Sequence, residues 1–294
     1  MILLPMPEAG TRVAALLNGQ VNFVEAPPPD SIPQLKSAGI NIVTNVYPHN
    51  WPFILNFHKG PMTDIRVRRA ANHAMNRDDM VELLGGMATP EYAMAPPSMP
   101  YYGNPRKYEY NPDKATALLK EAGCYPCAIT LAISTSGSGQ MQPLPMNELV
   151  KAQLEAVGFK VDFKVMDWNS LIEIGRSGVE KYPDIHGYNG SRALLDPVSA
   201  LIKPVARAYW SPAGANWGHF FAEDTEATVK AILTEFDPVA RLKLITKLHE
   251  LESEHAVMIY IVHDINPRAL SPKIKEFVQA QNWFQDMTPI EVLP

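Results

Sequence analysis

Apolar positions recur along the chain at spacings near two and near 3.6, and the alternation between the two sets out the expected elements. Residues 1–4 read as a short strand and 8–18 as a helix whose apolar face carries Val13, Leu16 and Leu17, stopped by Gly19. Val21, Phe23 and Val24 form a second strand, and the run Pro27, Pro28, Pro29 is a stiff connection. Asp30 or Ser31 then caps a helix ending at Gly39, and 40–46 alternates as a half-buried strand should. The clearest helical signal is DIRVRRAANHAMNRDDMVELLGG, residues 64–86. There Ile65, Ala70, Ala74 and Met75 fall near helical spacing with Arg66, Arg68 and Arg69 between them, which predicts an amphipathic helix with a basic outer side. Asp64 is its N-cap or first-turn acid. Asn76 breaks the run, and Asp78 and Asp79 open a second helix through Leu84 that Gly85 and Gly86 end.

The rest continues the alternation. Residues 48–57 are apolar and aromatic, and Pro90, Pro96, Pro97, Pro100 and Pro105 mark the following segment as a long ordered loop. Asn111 caps the next helix, with Pro112 at its first position and Gly123 after its end. Strands are expected at 129–133, 159–165 and 184–188, helices at 145–157, 170–178 and 197–202, and loops at 134–139 and 189–195. A helix at 223–233 precedes a longer one at 238–254 with Leu242, Ile245, Leu248 and Leu251 on one stripe, and 257–262 is an apolar run suited to the middle of a sheet. Strands and helices in this order indicate an α/β fold.

With 46% hydrophobic and 19% charged residues among 294, the chain has the composition of a globular protein of one large domain or two. A net charge of −5 without a long basic run argues against nucleic acid as a partner. No apolar stretch is long enough for a transmembrane segment. The opening residues lack the basic, apolar and small-residue regions of a signal peptide.

Three blocks carry a resemblance. Residues 64–79 look like the pattern D-x-R-V-R-x-A-x-x-x-A-x-x-R-D, 110–123 (YNPDKATALLKEAG) like Y-x-P-x-K-A-x-x-L-L-x-E-A-G, and 11–25 (TRVAALLNGQVNFVE) like R-x-x-A-L-x-x-G-x-V-D. All three are similar to the family 5 extracellular solute-binding proteins of ABC importers, the group with dipeptide-, oligopeptide- and nickel-binding members. With 271–285 matching the usual ending, the resemblance covers nearly the whole chain. It implies a two-lobed α/β periplasmic-binding-protein fold, type II and cluster C-like. The first lobe, residues 1–55 and 265–294, is expected to be incomplete; 56–264 form the second, with hinge strands near 50–57 and 257–264. In the family, the segment resembling 11–25 lies well inside the chain. The expectation is therefore the C-terminal portion of a longer protein, either an incomplete gene or a shortened form, monomeric at full length and prone to self-association as it stands. The resemblance also implies a periplasmic, or extracellular and membrane-associated, location and a cognate ABC permease in the inner membrane as partner.

Catalytic chemistry is scarce. The eight histidines are scattered, and His249 and His255 are not on one helical face; G-x-S-x-G, H-E-x-x-H and phosphate-cradling glycine loops are absent from the sequence. No metal, cofactor or enzymatic activity is expected. Cys124 and Cys127 have C-x-x-C spacing, read as a local disulfide, with a periplasmic thiol oxidoreductase as the alternative.

The binding signal lies in aromatic and polar residues at expected loop ends. Trp51, Tyr188, Trp210 and Trp217 stand beside Asn50, Asn189, Ser191, Arg192, Asn216 and His219, a mixture suited to a polar solute held against flat apolar faces. The resemblance turns the loops 188–192 and 215–220 toward a cleft between lobes, which closes about the hinges on a small-molecule or short-peptide-like solute. In peptide-binding members an aspartate in a W-x-x-D-x-x-x-P-like loop receives the peptide ammonium. Here the matching position is Ala193 counted from Pro197, or Ser191 counted from Tyr188, and neither is acidic. Asp196, beside Pro197, reads as a helix cap. The expected solute is therefore not a peptide anchored by its free N-terminus, and Arg192 suits a carboxylate or another anionic or hydroxyl-rich group.

Overall fold

The computed structural model describes residues 1–45, 49–137, 141–192, 196–265, 267–280 and 285–293. Val46, Pro48, Ser138, Gly139, Asn266 and residues 193–195 and 281–284, which expected segments include, lie outside the described residues.

Two helices and three short strands form the smaller sheet. Helices α1 (Ala9–Leu17) and α2 (Ile32–Ser37) lie beside strands β1 (Phe23–Glu25) and β2 (Asn41–Val43). A late strand, β9 (Arg268–Leu270), pairs antiparallel with both, in the order β1-β9-β2. Val13, Leu16, Val24, Leu35, Ile40 and Ala269 make its small core. Two further short strands, β10 (Ile274–Lys275) and β11 (Glu291–Val292), pair with each other.

The larger sheet has six strands: β3 (Asn50–Leu55), β4 (Ala88–Pro90), β5 (Cys127–Ser134), β6 (Phe159–Met166), β7 (Gly187–Asn189) and β8 (Met258–Asp264). Their order is β4-β8-β3-β7-β5-β6, with β5 parallel to β6 and β7 and the other pairs antiparallel. Every residue of β3 and β8 is buried, so both faces of the sheet's centre are covered. Phe53, Leu55, Ile259 and Ile261 face α3 (Ile65–Ala74), α4 (Arg77–Leu83), α5 (Pro112–Glu121) and α6 (Pro143–Ala156). Ile54, Tyr188, Met258 and Tyr260 face α7 (Trp168–Ser177), α9 (Glu223–Thr234), α10 (Pro238–Glu254) and the π-helical turn Val198–Ile202 that leads into α8 (Lys203–Val205). Among the described residues the chain passes between the two larger sheets twice, from β2 to β3 and from β8 to β9.

Local chemistry explains the helix ends. Asp64 accepts a hydrogen bond from the Arg66 amide (2.8 Å), and Asn111 accepts one from Lys114 (2.9 Å) ahead of Pro112. Gly85, Gly86 and Gly123 take positive φ where α4 and α5 end.

Four expectations change. Residues 1–4 are not a strand; Met1, Ile2, Leu3 and Leu4 are exposed, with no partner strand among the described residues to pair their backbone. The proline-rich loop contains β4, with Pro90 at its end on the edge of the sheet. On α10 the buried positions are Leu248, His249, Glu252 and Ser253, while Leu242 is exposed, so the helix turns a partly polar face inward. Finally, α3 has no basic outer side at Arg68. Its guanidinium is buried and donates to the carbonyls of His255 and Ala256 (3.1 and 3.2 Å) and of Met62 and Thr63 (3.0 Å each). Those acceptors include the chain leaving α10, whose terminal carbonyls have no partners within the helix. Burial pulls this arginine down to about 10, still charged at neutral pH.

Arg68→Met is expected to lower stability by about 3 kcal/mol or more, because several buried carbonyls lose a charged donor. Arg68→Lys should recover less than half, since an ammonium cannot span both sets of acceptors. Urea unfolding measures both, and a loss under about 1 kcal/mol for Arg68→Met would contradict this reading.

Candidate functional site

Beyond β7 the chain stays on β3 through the Gly190 amide, which donates to the Pro52 carbonyl at 3.1 Å, and through an isolated bridge between Asn50 and Arg192. The Asn50 amide donates to the Arg192 carbonyl at 2.9 Å, and the Arg192 amide donates to Asn50 Oδ1 at 3.1 Å. Because side chains alternate along an extended segment, this holds Arg192 on the same face of the sheet as Tyr188. Arg192 is half-buried, its guanidinium carbon 5.0 Å from the centre of the Trp217 ring, and Nη2 donates to the Ala215 carbonyl at 3.0 Å. Nε makes no hydrogen bond. Trp217 stacks in turn on Tyr188, centroids 6.5 Å apart and planes at 30°. Gly175 of α7 is required here: a methyl group at that position would collide with Tyr188 Oη and the Trp217 ring. A cavity of about 10 Å³, enough for one water molecule, lies among Arg192, Trp217, Ile54, Val205 and Met258.

Beneath this corner lies a polar layer. Glu252 of α10 is fully buried and neither carboxyl oxygen has a hydrogen-bond partner; the same holds for Tyr188 Oη. Burial pushes the Glu252 carboxyl well above the usual range, opposed by the nearby charge of Arg192, and pulls Arg192 down. Glu91, next to Asn50, is likewise raised by burial. His263 falls to about 3 because burial and the neighbouring His249 and His49 oppose its charge.

A second, larger cavity of about 1700 Å³ opens between residues 1–9, β1, the β10–β11 region and the end of β5. Thr135 and Ser136 line it from β5's end, and His49 and Asp264 line it where β3 begins and β8 ends. His49 Nδ1 is 3.4 Å from Asp264 Oδ2, and the Asp264 amide donates to the His49 carbonyl at 2.9 Å.

The ten residues expected at a site divide among these places. Tyr188, Arg192 and Trp217 come together, with half-buried Ser191 next along the chain and Asn50 fixing Arg192's backbone. Trp51 is in the core on the opposite face, edge-on to Phe53, and Asn189 is buried with its amide on the Pro52 carbonyl. Asn216 staples its own loop, bonding the Phe220 amide and the carbonyls of Phe220 and Ala206. His219 lies flat on Trp210, with Ser211 and Glu180 on its nitrogens. None of the ten lines the larger cavity. Sequence reasoning did not single out Glu252, Glu91 or His263. The one available signal was His249, Glu252 and Ser253 at helical spacing on α10, obscured by the leucine stripe beside it.

Cys124 and Cys127 are joined in a disulfide, Cα atoms 4.6 Å apart, in the turn between α5 and β5 and away from both cavities. Among the described residues there is no free cysteine and no cluster of three metal-ligating side chains. No helix there is long and apolar enough to cross a membrane.

The sequence model of the bacterial extracellular solute-binding proteins, family 5 (middle region), matches residues 1–212. The chain belongs to this family. Relatives by sequence include the glutathione-binding protein GsiB of Escherichia coli (strain K12), 26% identical over 244 residues, which are 82% of this chain and 47% of that protein. GsiB of Salmonella typhi is 25% identical over 251 residues, 84% of this chain and 49% of that one. Among solved structures, the periplasmic binding protein DppA of Helicobacter pylori, in complex with the peptide STSA, superposes with a TM-score of 0.85 at 20% identity, covering 98% of this chain and 56% of DppA. NikA of Staphylococcus aureus with Ni(L-His)2 gives 0.79 at 14%, covering 98% and 61%. These structural likenesses establish the shared mixed α/β fold. The chain spans about half the length of the curated relatives it matches. The oxidoreductase alternative finds no support in a family of solute binders.

The buried acid makes a test of stability against pH. With its folded pKa raised, Glu252 holds a proton that the unfolded chain gives up above the ordinary carboxyl range, so its contribution falls as pH rises. The depressed His263 acts oppositely, but only between about pH 3 and 6.5. Glu252→Gln should therefore gain on wild type in urea unfolding as pH rises above the ordinary carboxyl range of about 4.3, read from pH 5 to 7.5. A constant difference across that range would show that Glu252 is not a raised buried acid.

Proposed function

We propose that the chain is the solute-binding component of an ABC importer, acting outside the cytoplasm. It captures a small polar solute carrying a carboxylate and presents it to a membrane permease. The family match over residues 1–212 supports the class, and Arg192, half-buried against Trp217 with its buried Nε uncommitted, carries the choice of solute. A planar guanidinium with free donors recognises carboxylates, while Trp217 and Tyr188 offer flat apolar surface. The GsiB relatives bind glutathione by name, a compound with two carboxylates, and this supports a solute of that class.

In this reading residues 1–55 and 265–294 make one lobe and 56–264 the other. β3 and β8 are the hinge strands: they are neighbours, and the chain enters and leaves the six-stranded sheet through them. Closure about them would bury the solute, and the closed form is what the permease meets.

Calorimetry on the 294-residue chain tests the solute class with glutathione, with N-acetyl-S-methylglutathione, which keeps only the carboxyls free, and with the dipeptide Ala-Phe. Both glutathione forms are expected to bind. Arg192→Ala should weaken both roughly 10- to 150-fold, the loss of a charge-assisted hydrogen bond of about 1.5–3 kcal/mol. Tight binding of Ala-Phe that is abolished by N-acetylation and indifferent to Arg192→Ala would overturn the reading.

A further inference from the structure

His219 sits in the loop between α8 and α9 that also carries Ala215 and Trp217, the two partners of the Arg192 guanidinium. Its φ is 59°, in the left-handed region that residues other than glycine seldom adopt. A backbone kept there needs contacts that over-determine it, and the side chain supplies them. The ring lies flat on Trp210, with centroids 5.0 Å apart and planes at 4°. Nε2 is 2.8 Å from the Ser211 carbonyl oxygen and 3.1 Å from Ser211 Oγ, and Nδ1 is 3.3 Å from Glu180 Oε2. A carbonyl and a carboxylate only accept, so both ring nitrogens must donate, and that is an imidazolium. Glu180 belongs to a separate piece of chain, the short helical turn Val179–Lys181 after α7. Its carboxylate folds over Gly178, where a methyl group would collide with both oxygens.

Other charged groups stand around the ring. Arg207 lies 5.3 Å over the Trp210 ring, and its amide donates to the Glu226 carboxylate of α9 at 3.0 Å. Lys181 follows Glu180 in the turn, and behind Phe220 the ring of His255 bonds Asp224 at 2.9 Å. The loop is tied down at the end of β3, where the Phe57 amide donates to the Gly218 carbonyl (2.9 Å), at Arg192, and at Glu180. Of these ties, the one at Glu180 is the one that loss of a proton removes. We propose that protonated His219 is a positioning residue for solute capture: by clasping Glu180 it holds the loop so that the Ala215 carbonyl and the Trp217 ring aim the Arg192 guanidinium at a carboxylate. When the proton leaves, Nε2 keeps its hydrogen on the Ser211 carbonyl, and Nδ1 turns a lone pair to the Glu180 carboxylate. Attraction becomes repulsion and the clasp opens. His219 itself touches no solute. This rests on the carboxylate reading of Arg192. Because the proton favours the binding form, lower pH tightens binding of the anion.

The probe is N-acetyl-S-methylglutathione, whose carboxyls, with pKa values of about 3.5, are ionised throughout the range used. Calorimetry from pH 5.5 to 9 measures its affinity, and nitrogen-15 NMR follows the His219 ring and the Trp217 indole over the same range. Wild-type affinity is expected to fall about two- to fivefold with rising pH, the size of a partly exposed ion pair, along the curve of the His219 signals. Glu180→Gln should remove this dependence, because a carboxamide can meet either form of the ring with an acceptor or a donor. His219→Asn, which suits left-handed backbone and does not titrate, should remove it too. Constant wild-type affinity across the range, or a pH dependence unchanged in Glu180→Gln, would overturn the proposal while leaving the solute reading intact. If wild type binds no probe at any pH, the solute reading fails and the Trp217 indole decides the clasp. An indole signal that follows the His219 titration in wild type but not in Glu180→Gln supports it, and one indifferent to that titration removes it. Glu180 is exposed, so its variant decides the matter even where His219→Asn fails to fold.

Discussion

A strand covered on both faces has no water to satisfy its backbone, so its amides and carbonyls must find other strands. In this chain that constraint falls on β3 and β8, which pair with each other at the centre of the six-stranded sheet and are buried throughout. The same two strands carry both passages between the large sheet and the small one. Their pairing fixes where Asn50 stands, and Asn50 in turn fixes the backbone of Arg192 through the bridge at the end of β7. The position of the candidate site thus follows from the hydrogen-bonding needs of two buried strands.

Around that frame, charge is placed where the backbone has unmet acceptors. Arg68 closes off the end of α10, and Arg77 donates to the carbonyls of Glu91 and Tyr108, holding the segment between β4 and α5 against α4. Arg192 has the same chemistry with a different outcome. One of its nitrogens bonds a carbonyl, one stays free, and an aromatic ring supports the plane. A buried guanidinium with its donors used is structural, whereas one half-exposed with a donor to spare can select an anion.

Much of the fold was legible in the sequence because its signals are local. Caps at Asp64 and Asn111, the glycines after α4 and α5, and the alternation in β6 all act within a few residues. The resemblance also pointed to the family from three short blocks. What was not legible depends on partners far along the chain. Arg68 looked like surface because helical spacing alone does not reveal that α10 ends beside it, almost 190 residues later. The sequence likewise grouped ten polar and aromatic residues by chemistry, but only the strand register could separate Tyr188, Arg192 and Trp217 from Trp51 on the opposite face. Glu252 was hidden for a related reason: the leucine stripe on α10 was the stronger periodic signal, and a buried acid has no sequence signature apart from its surroundings.

Two places compete for the solute: the stacked corner of Arg192, Trp217 and Tyr188, and the large cavity lined by His49, Asp264 and the opening residues of the chain. The most direct discrimination is a crystal structure of the 294-residue chain with glutathione bound. A carboxylate oxygen about 2.7–2.9 Å from the Arg192 guanidinium, with the solute against Trp217, is the expected result. Glutathione seated instead between His49, Asp264 and the end of β5, with Arg192 untouched, would contradict the account.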